Sequence, residues 1–174
     1  MKLCWLTVMV CGLCACAGKY VHPAPVAGVV VSMRELVLDC SQRPLEGEVL
    51  FEVENRGKRR VAFHLSSQGE KTPLLDSRAP YEIHLNFASL KQRSEINGEY
   101  RHAMVRSLDH YFPPTTDVAI SPNDRTDFRL DLSQYSIYDP QDYDYRIDLM
   151  DRDTAIYRSQ PFRLCGPAPD AVAE

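Results

Sequence analysis

Between Val49 and Leu149 the chain repeatedly alternates apolar and polar residues with a period of two. In Val49-Leu50-Phe51-Glu52-Val53-Glu54, valine and phenylalanine lie on one face and glutamates on the other. Asn55-Arg56-Gly57 signals a turn, after which Val61, Phe63 and Leu65 alternate with Ala62 and His64. This pair predicts a hairpin. Tyr81, Ile83, Leu85 and Phe87 predict a further strand, as do Phe128, Leu130 and Leu132. So do Tyr143, Tyr145, Ile147 and Leu149, which alternate with Asp144, Arg146 and Asp148. Each set offers one face to a core and one to water.

Val29 to Leu38 is a more continuous apolar run and predicts the opening strand; Ala155 to Leu164 predicts the closing one. Pro161 lacks an amide donor and points to an edge or a bulge there. Tyr100 to Val105 predicts a shorter strand. No segment carries a capped helical stripe. Many short strands with turn signals between them indicate an all-β fold, an antiparallel β-sandwich of about 7–9 strands, over residues 28–165.

One stretch strengthens that expectation. Asp131-Leu132-Ser133-Gln134-Tyr135, followed by Tyr143-Asp144-Tyr145-Arg146-Ile147, resembles the last strands of exported immunoglobulin-like accessory domains. The resemblance implies an immunoglobulin-like sandwich in which a strand ends in a Leu-Ser turn, crosses, and returns on a Tyr-x-Ile strand. It is similar to the sandwich modules that precede secreted metallopeptidase domains. No peptidase motif follows here, so that activity does not carry over.

The N-terminus sets the compartment. Lys2 is followed by a run from Leu3 to Ala17 without a charge. The run is shorter than the roughly 20 apolar residues a permanent span requires, and its charged start and small-residue end fit a secretory signal. Leu13-Cys14-Ala15-Cys16 resembles the lipobox of bacterial lipoproteins. That resemblance implies a signal peptide over residues 1–15, acylation (palmitate among the chains) of Cys16, and a lipidated tether over 16–27. Ala17 after the cysteine implies the outer membrane by the family's sorting habit, with the domain facing the periplasm. Ala15-Cys16-Ala17 also fits an A-x-A cleavage site, which would release the protein instead. His22-Pro23-Ala24-Pro25 favours extended chain in the tether, and residues 166–174 read as a flexible tail.

Charge narrows the partners. The chain has 20 Lys and Arg against 24 Asp and Glu. Removal of residues 1–15 takes away only Lys2, so 19 cations remain against 24 anions, a net charge of −5. That balance argues against nucleic-acid binding, which needs a basic stripe. Of the six cysteines only Cys40 and Cys165 fall in the domain. In an exported protein they suggest one disulfide, because one follows the first predicted strand and the other the last; two separately buried thiols are the alternative.

Candidate chemistry is sparse. His64 and His84 fall on outward strand positions and could meet over a divalent ion only if their strands were neighbours. Asp109-His110 adds a possible ligand pair. Asp139, Asp142, Asp144, Asp148, Asp151 and Asp153 crowd a short stretch without the spacing of a calcium loop. No Gly-x-Ser-x-Gly elbow is present. No metal site, cofactor, catalytic residue or small-molecule substrate is therefore expected. What remains is a protein-binding surface. Arg56, Arg59 and Arg60, with Lys58, form a basic turn suited to an acidic partner. Tyr111 and Phe112, beside Pro113 and Pro114, suit aromatic anchoring. The expectation is a non-catalytic envelope lipoprotein whose sandwich binds another protein, as an immunity protein against a periplasmic toxin or an assembly factor of an envelope complex. The competing class is a secreted hydrolase or metal-dependent enzyme.

Overall fold

The alternating segments become strands of two packed sheets. The computed structural model describes residues 22–65, 80–83, 87–106 and 117–166. In sheet I, β2 (Gly47–Asn55) lies between β1 (Val29–Leu38) and β8 (Asp124–Asp131), and β4 (Tyr81–Glu82) lies beyond β8. In sheet II the order is β10 (Ile156–Arg158), β9 (Tyr145–Met150), β5 (Ala88–Arg93), β6 (Tyr100–His102). A separate antiparallel pair is formed by β3 (Val61–His64) and β7 (Asp117–Ile120). The fold is all-β, as the periodicity predicts. β1-β2-β8 and β10-β9-β5 stand where an immunoglobulin sandwich has strands A-B-E and G-F-C. β4 departs from that plan, since it runs parallel to β8 and precedes β5 in the chain.

The register shows why the alternation works. Val49 pairs with Leu130, Phe51 with Phe128 and Val53 with Thr126, and the first two pairs are fully buried. Tyr145, Ile147 and Leu149 point inward from sheet II with Leu90 and Ala88. Phe51 and Phe128 stack with ring centroids 5.6 Å apart. Phe63 meets Phe128 edge-on at 5.9 Å and Tyr157 edge-on at 5.8 Å. These four rings form one continuous column from sheet I to sheet II, and such pairs add to the stabilisation from buried area.

The crossing between the sheets follows the expected Leu-Ser turn. Asp131 ends β8, and its carboxylate accepts from Ser133 N at 2.8 Å and from the Ser133 hydroxyl at 2.7 Å. This caps a single 3₁₀ turn, Leu132–Gln134. Tyr135 then buries its ring, and its hydroxyl accepts from Leu90 N at 3.1 Å on β5. Burial pushes the Tyr135 phenol up to about 12. A tyrosine thus ties the turn after β8 to the opposite sheet, and the chain returns on Tyr145-Arg146-Ile147 in β9.

Three expectations need correction. Val49–Glu54 and Val61–Leu65 do not form a hairpin: β2 pairs with β1 and β8, and β3 pairs with β7. Residues 56–60 therefore carry the chain away from sheet I to the β3–β7 pair. The alternation from Tyr81 to Phe87 is not one strand, because β4 covers only Tyr81–Glu82 and β5 starts at Ala88. The closing strand is short, and β10 ends before Pro161. It stands at the edge of sheet II, as the proline suggests, and β1 meets the residue after it through a parallel bridge from Val31 to Ser159.

Cys40 and Cys165 lie at disulfide distance, with Cα atoms 6.0 Å apart across 125 residues of chain. A cross-link over so long a loop restricts the unfolded chain by about 4–5 kcal/mol on a chain-entropy argument. Replacing both with Ala should lower the unfolding free energy by up to about that amount, read from denaturant midpoints. Alkylation of either thiol in the folded, air-purified protein would contradict the pairing.

Candidate functional site

The basic turn owes its shape to Asn55, which is fully buried at the end of β2. Its side-chain amide donates to Arg59 O at 2.8 Å and to Ile120 O at 3.1 Å, and its side-chain oxygen accepts from Gly57 N at 3.0 Å. One amide therefore holds both ends of the turn and fastens it to β7. Arg56 N also donates to Gly28 O at 2.8 Å. The two backbones come so close that a Cβ at Gly57 would sit 2.4 Å from Ala27 O. Only glycine fits there.

Of the predicted binding residues on this turn, Arg56 pairs with Glu54 at 2.5 Å. Arg59 and Arg60, with Lys58, are exposed and make no ion pair with a described acid. Arg59 and Arg60 line a cleft of about 490 Å³ together with Val26, Asp117, Asp151 and Arg152. Two of this cleft's three acids, Asp117 and Asp151, are engaged, and the third, Asp153, is exposed. Asp117 contacts His64 Nδ1 at 2.5 Å and Arg152 at 3.3 Å. Asp151 is buried and accepts from the Tyr157 hydroxyl at 2.8 Å and from Ala155 N at 2.9 Å. Burial pushes the Tyr157 phenol up to about 12. That hydroxyl accepts from Val26 N at 3.0 Å, and His22 Nδ1 lies 2.8 Å from Thr154 O. His22 and Val26 thus dock at this end of the sandwich, beside the basic turn.

His64, on the outward side of β3, is half-buried. It packs on Phe87, with ring centroids 4.9 Å apart, as well as contacting Asp117. The clustered aspartates separate in space: Asp144 meets Arg93 at 3.6 Å and Arg163 at 3.1 Å, and Asp148 meets Arg146 at 2.8 Å. Among the described residues no three His, Cys, Asp or Glu side chains converge at metal-binding spacing. Cys16, His84, His110, Tyr111 and Phe112 lie outside the described residues.

A second feature lies on the outer faces of the sheets, and sequence reading missed it. On sheet I the outward side chains include Glu35, Glu48, Glu52, Glu54, Glu82, Asp127 and Asp131 against Arg34, Arg125 and Arg129. Glu52 is 8% exposed and pairs with Arg34 and, at 3.7 Å, with Arg125. Arg129 meets Glu82 at 2.9 Å and Glu48 at 3.4 Å. Sheet II is the reverse: Lys91, Arg93, Arg146 and Arg158 face outward, with Asp148 as the acid among them. Burial, and then Arg146 and Arg158, hold the Lys91 ammonium below its usual range. Burial and Lys91 likewise lower His102. The alternation in Tyr145-Arg146-Ile147-Asp148 carried half of this signal; the pairing of β5 with β9 supplies the rest.

No protein family, curated protein or solved structure matches this chain.

Asn55→Ala should destabilise the domain by about 2–3 kcal/mol, since it removes a buried bond to Ile120 O and part-buried ones to Arg59 O and Gly57 N. Urea unfolding of the purified protein reads this directly. A loss under about 0.5 kcal/mol, typical of a surface substitution, would show that the turn is not held through Asn55.

Proposed function

We propose that this protein is a lipid-anchored, non-catalytic module of the bacterial envelope whose β-sandwich binds another protein. The anchor is Cys16, and the location is the periplasmic side of the outer membrane. The observation that supports binding is the turn at residues 58–60. Most other arginines of the described domain have a carboxylate partner, yet Lys58, Arg59 and Arg60 are exposed without one, on a turn that Asn55 holds in place. Ordered, unpaired charge raises the rate of encounter with an oppositely charged partner. The docking of His22 and Val26 beside this turn puts the tether at one end of the sandwich and leaves both outer sheet faces turned to the side. A soluble partner can therefore reach the domain while the anchor is inserted. An immunity protein and an assembly factor both need this arrangement. Loss of the gene would tell them apart: toxin sensitivity in contact with competitors marks the first, and an envelope defect in isolated cells the second.

Two measurements test the reading. Cys16→Ser should move the protein out of the membrane fraction, or leave it uncleaved, and abolish labelling by a fatty acid. Equal labelling of wild type and variant would remove the anchor. For binding, a partner co-purified from envelope extract is assayed against Arg59→Glu/Arg60→Glu at low and moderate salt. Association should slow by about tenfold at low salt, with a smaller difference at higher salt. Tyr111→Ala and Phe112→Ala should instead speed dissociation, as aromatic anchors do. Unchanged kinetics in every variant, with the fold intact, would take both loops out of the interface.

A further inference from the structure

We propose that the outer face of sheet II, centred on Lys91, Arg146 and His102, is the surface on which the domain docks an acidic protein partner. The proposal rests on the binding-module reading and names its contact surface and the chemistry of its partner. Three side chains carry it. Lys91 stands directly opposite Arg146 on β9 and directly opposite His102 on β6. They make one row across three strands, in which the Lys91 ammonium donates to His102 Nε2 at 2.5 Å and stands opposite the Arg146 guanidinium. Like charges directly opposite in a sheet destabilise it. A chain with more acids than bases had acids available for these positions, yet Asp148 is shared by Arg146 at 2.8 Å and Arg158 at 3.8 Å. Asp148 offsets part of that charge, and the excess of cations it leaves on the face is a mark of a functional surface.

The surroundings fit a protein contact. The Arg146 guanidinium lies 4.3 Å above the centre of the Tyr100 ring, so a cation and an aromatic are presented together on a fixed platform. Arginine and tyrosine are the residues that most often dominate interfaces. The face is a pleated sheet surface, which suits an extended acidic segment or another sheet. A second copy of the chain would offer the acidic face of sheet I. Of its described outward acids, Glu48, Glu52, Glu54 and Glu82 are paired with arginines and Asp131 caps the 3₁₀ turn, which leaves Glu35 and Asp127 against a whole row of cations. An anionic bilayer would have to approach from the side, whereas the tether docks at the sheet's end, by the Thr154 turn. The complement is therefore a different protein with unpaired carboxylates.

The test uses the full chain carrying Cys16→Ser and a poly-L-glutamate probe of about 20 residues at low salt. The background chain should bind the probe, and Lys91→Glu should weaken binding at least tenfold. The same substitution should raise the melting temperature by about 2 °C, because it relieves the row; a merely structural lysine would give the opposite shift. Lys91→Gln should fall between on both readouts. Equal probe affinity in Lys91→Glu, or a lowered melting temperature in both variants, would overturn the proposal. So would tighter binding to phosphatidylglycerol vesicles than to the probe, or self-association that Lys91→Glu abolishes. The co-purified envelope partner separates the two readings. If it binds wild type and Lys91→Glu alike, the surface assignment falls and the binding module stands. If no envelope protein binds the wild type, both fall.

Discussion

The aromatic column formed by Phe51, Phe128, Phe63 and Tyr157 is the constraint from which the rest follows. It joins strands of sheet I to β3 and β10, so both sheets must turn the same alternate residues inward. In a period-two element a slip of one residue would send every buried ring to solvent. The core thereby sets the register, and the register sets what stands on the outer faces. Glu48, Glu52 and Glu54 face out because Val49, Phe51 and Val53 face in. By the same logic Lys91 meets Arg146 because Leu90 meets Ile147.

The two ends of the sandwich have different tasks. At one end Asn55 and the close backbones of Gly28 and Gly57 fasten the basic turn, and His22 and Val26 dock next to it. At the crossing, Asp131 and Tyr135 carry the chain from sheet I to sheet II. The Cys40–Cys165 pair joins the segment after β1 to the segment after β10, so the first and last strands are tied as well as bridged. These features give a rigid body with charge segregated on its two faces. Such a body suits recognition, because little order has to be acquired on binding.

Much of this was legible in the sequence. β2, β8 and β9 announce themselves by alternation, and the Leu-Ser turn before Tyr135 marks the crossing. The cysteine pair was readable from its position beside the outermost strands. The exchange of partners by β2 and β3 was not, because Asn55-Arg56-Gly57 is as good a hairpin turn as any. What diverts it is the bond from the Asn55 side chain to Ile120 O, a contact 65 residues away. β7 is four residues long, so it carries too few positions for a period to show. The basic turn was visible as a run of charge, but only the fold shows that Arg56 has a partner among the described acids and Arg59 and Arg60 do not. The cationic row was hidden for a related reason. Lys91 and Arg146 each look like an ordinary polar residue on an outward face, and only non-local pairing reveals that they are opposed.

That opposition is the central claim, and a double-mutant cycle measures it. Lys91→Gln, Arg146→Gln and the double variant are unfolded in denaturant at low and at high salt. Relief of one repulsion can be gained only once. The two single variants together should therefore stabilise the protein more than the double variant does, by about 0.2–1 kcal/mol at low salt, with the difference shrinking at high salt. Additive effects at every salt concentration, or an attractive coupling, would contradict the register and the charged face built on it.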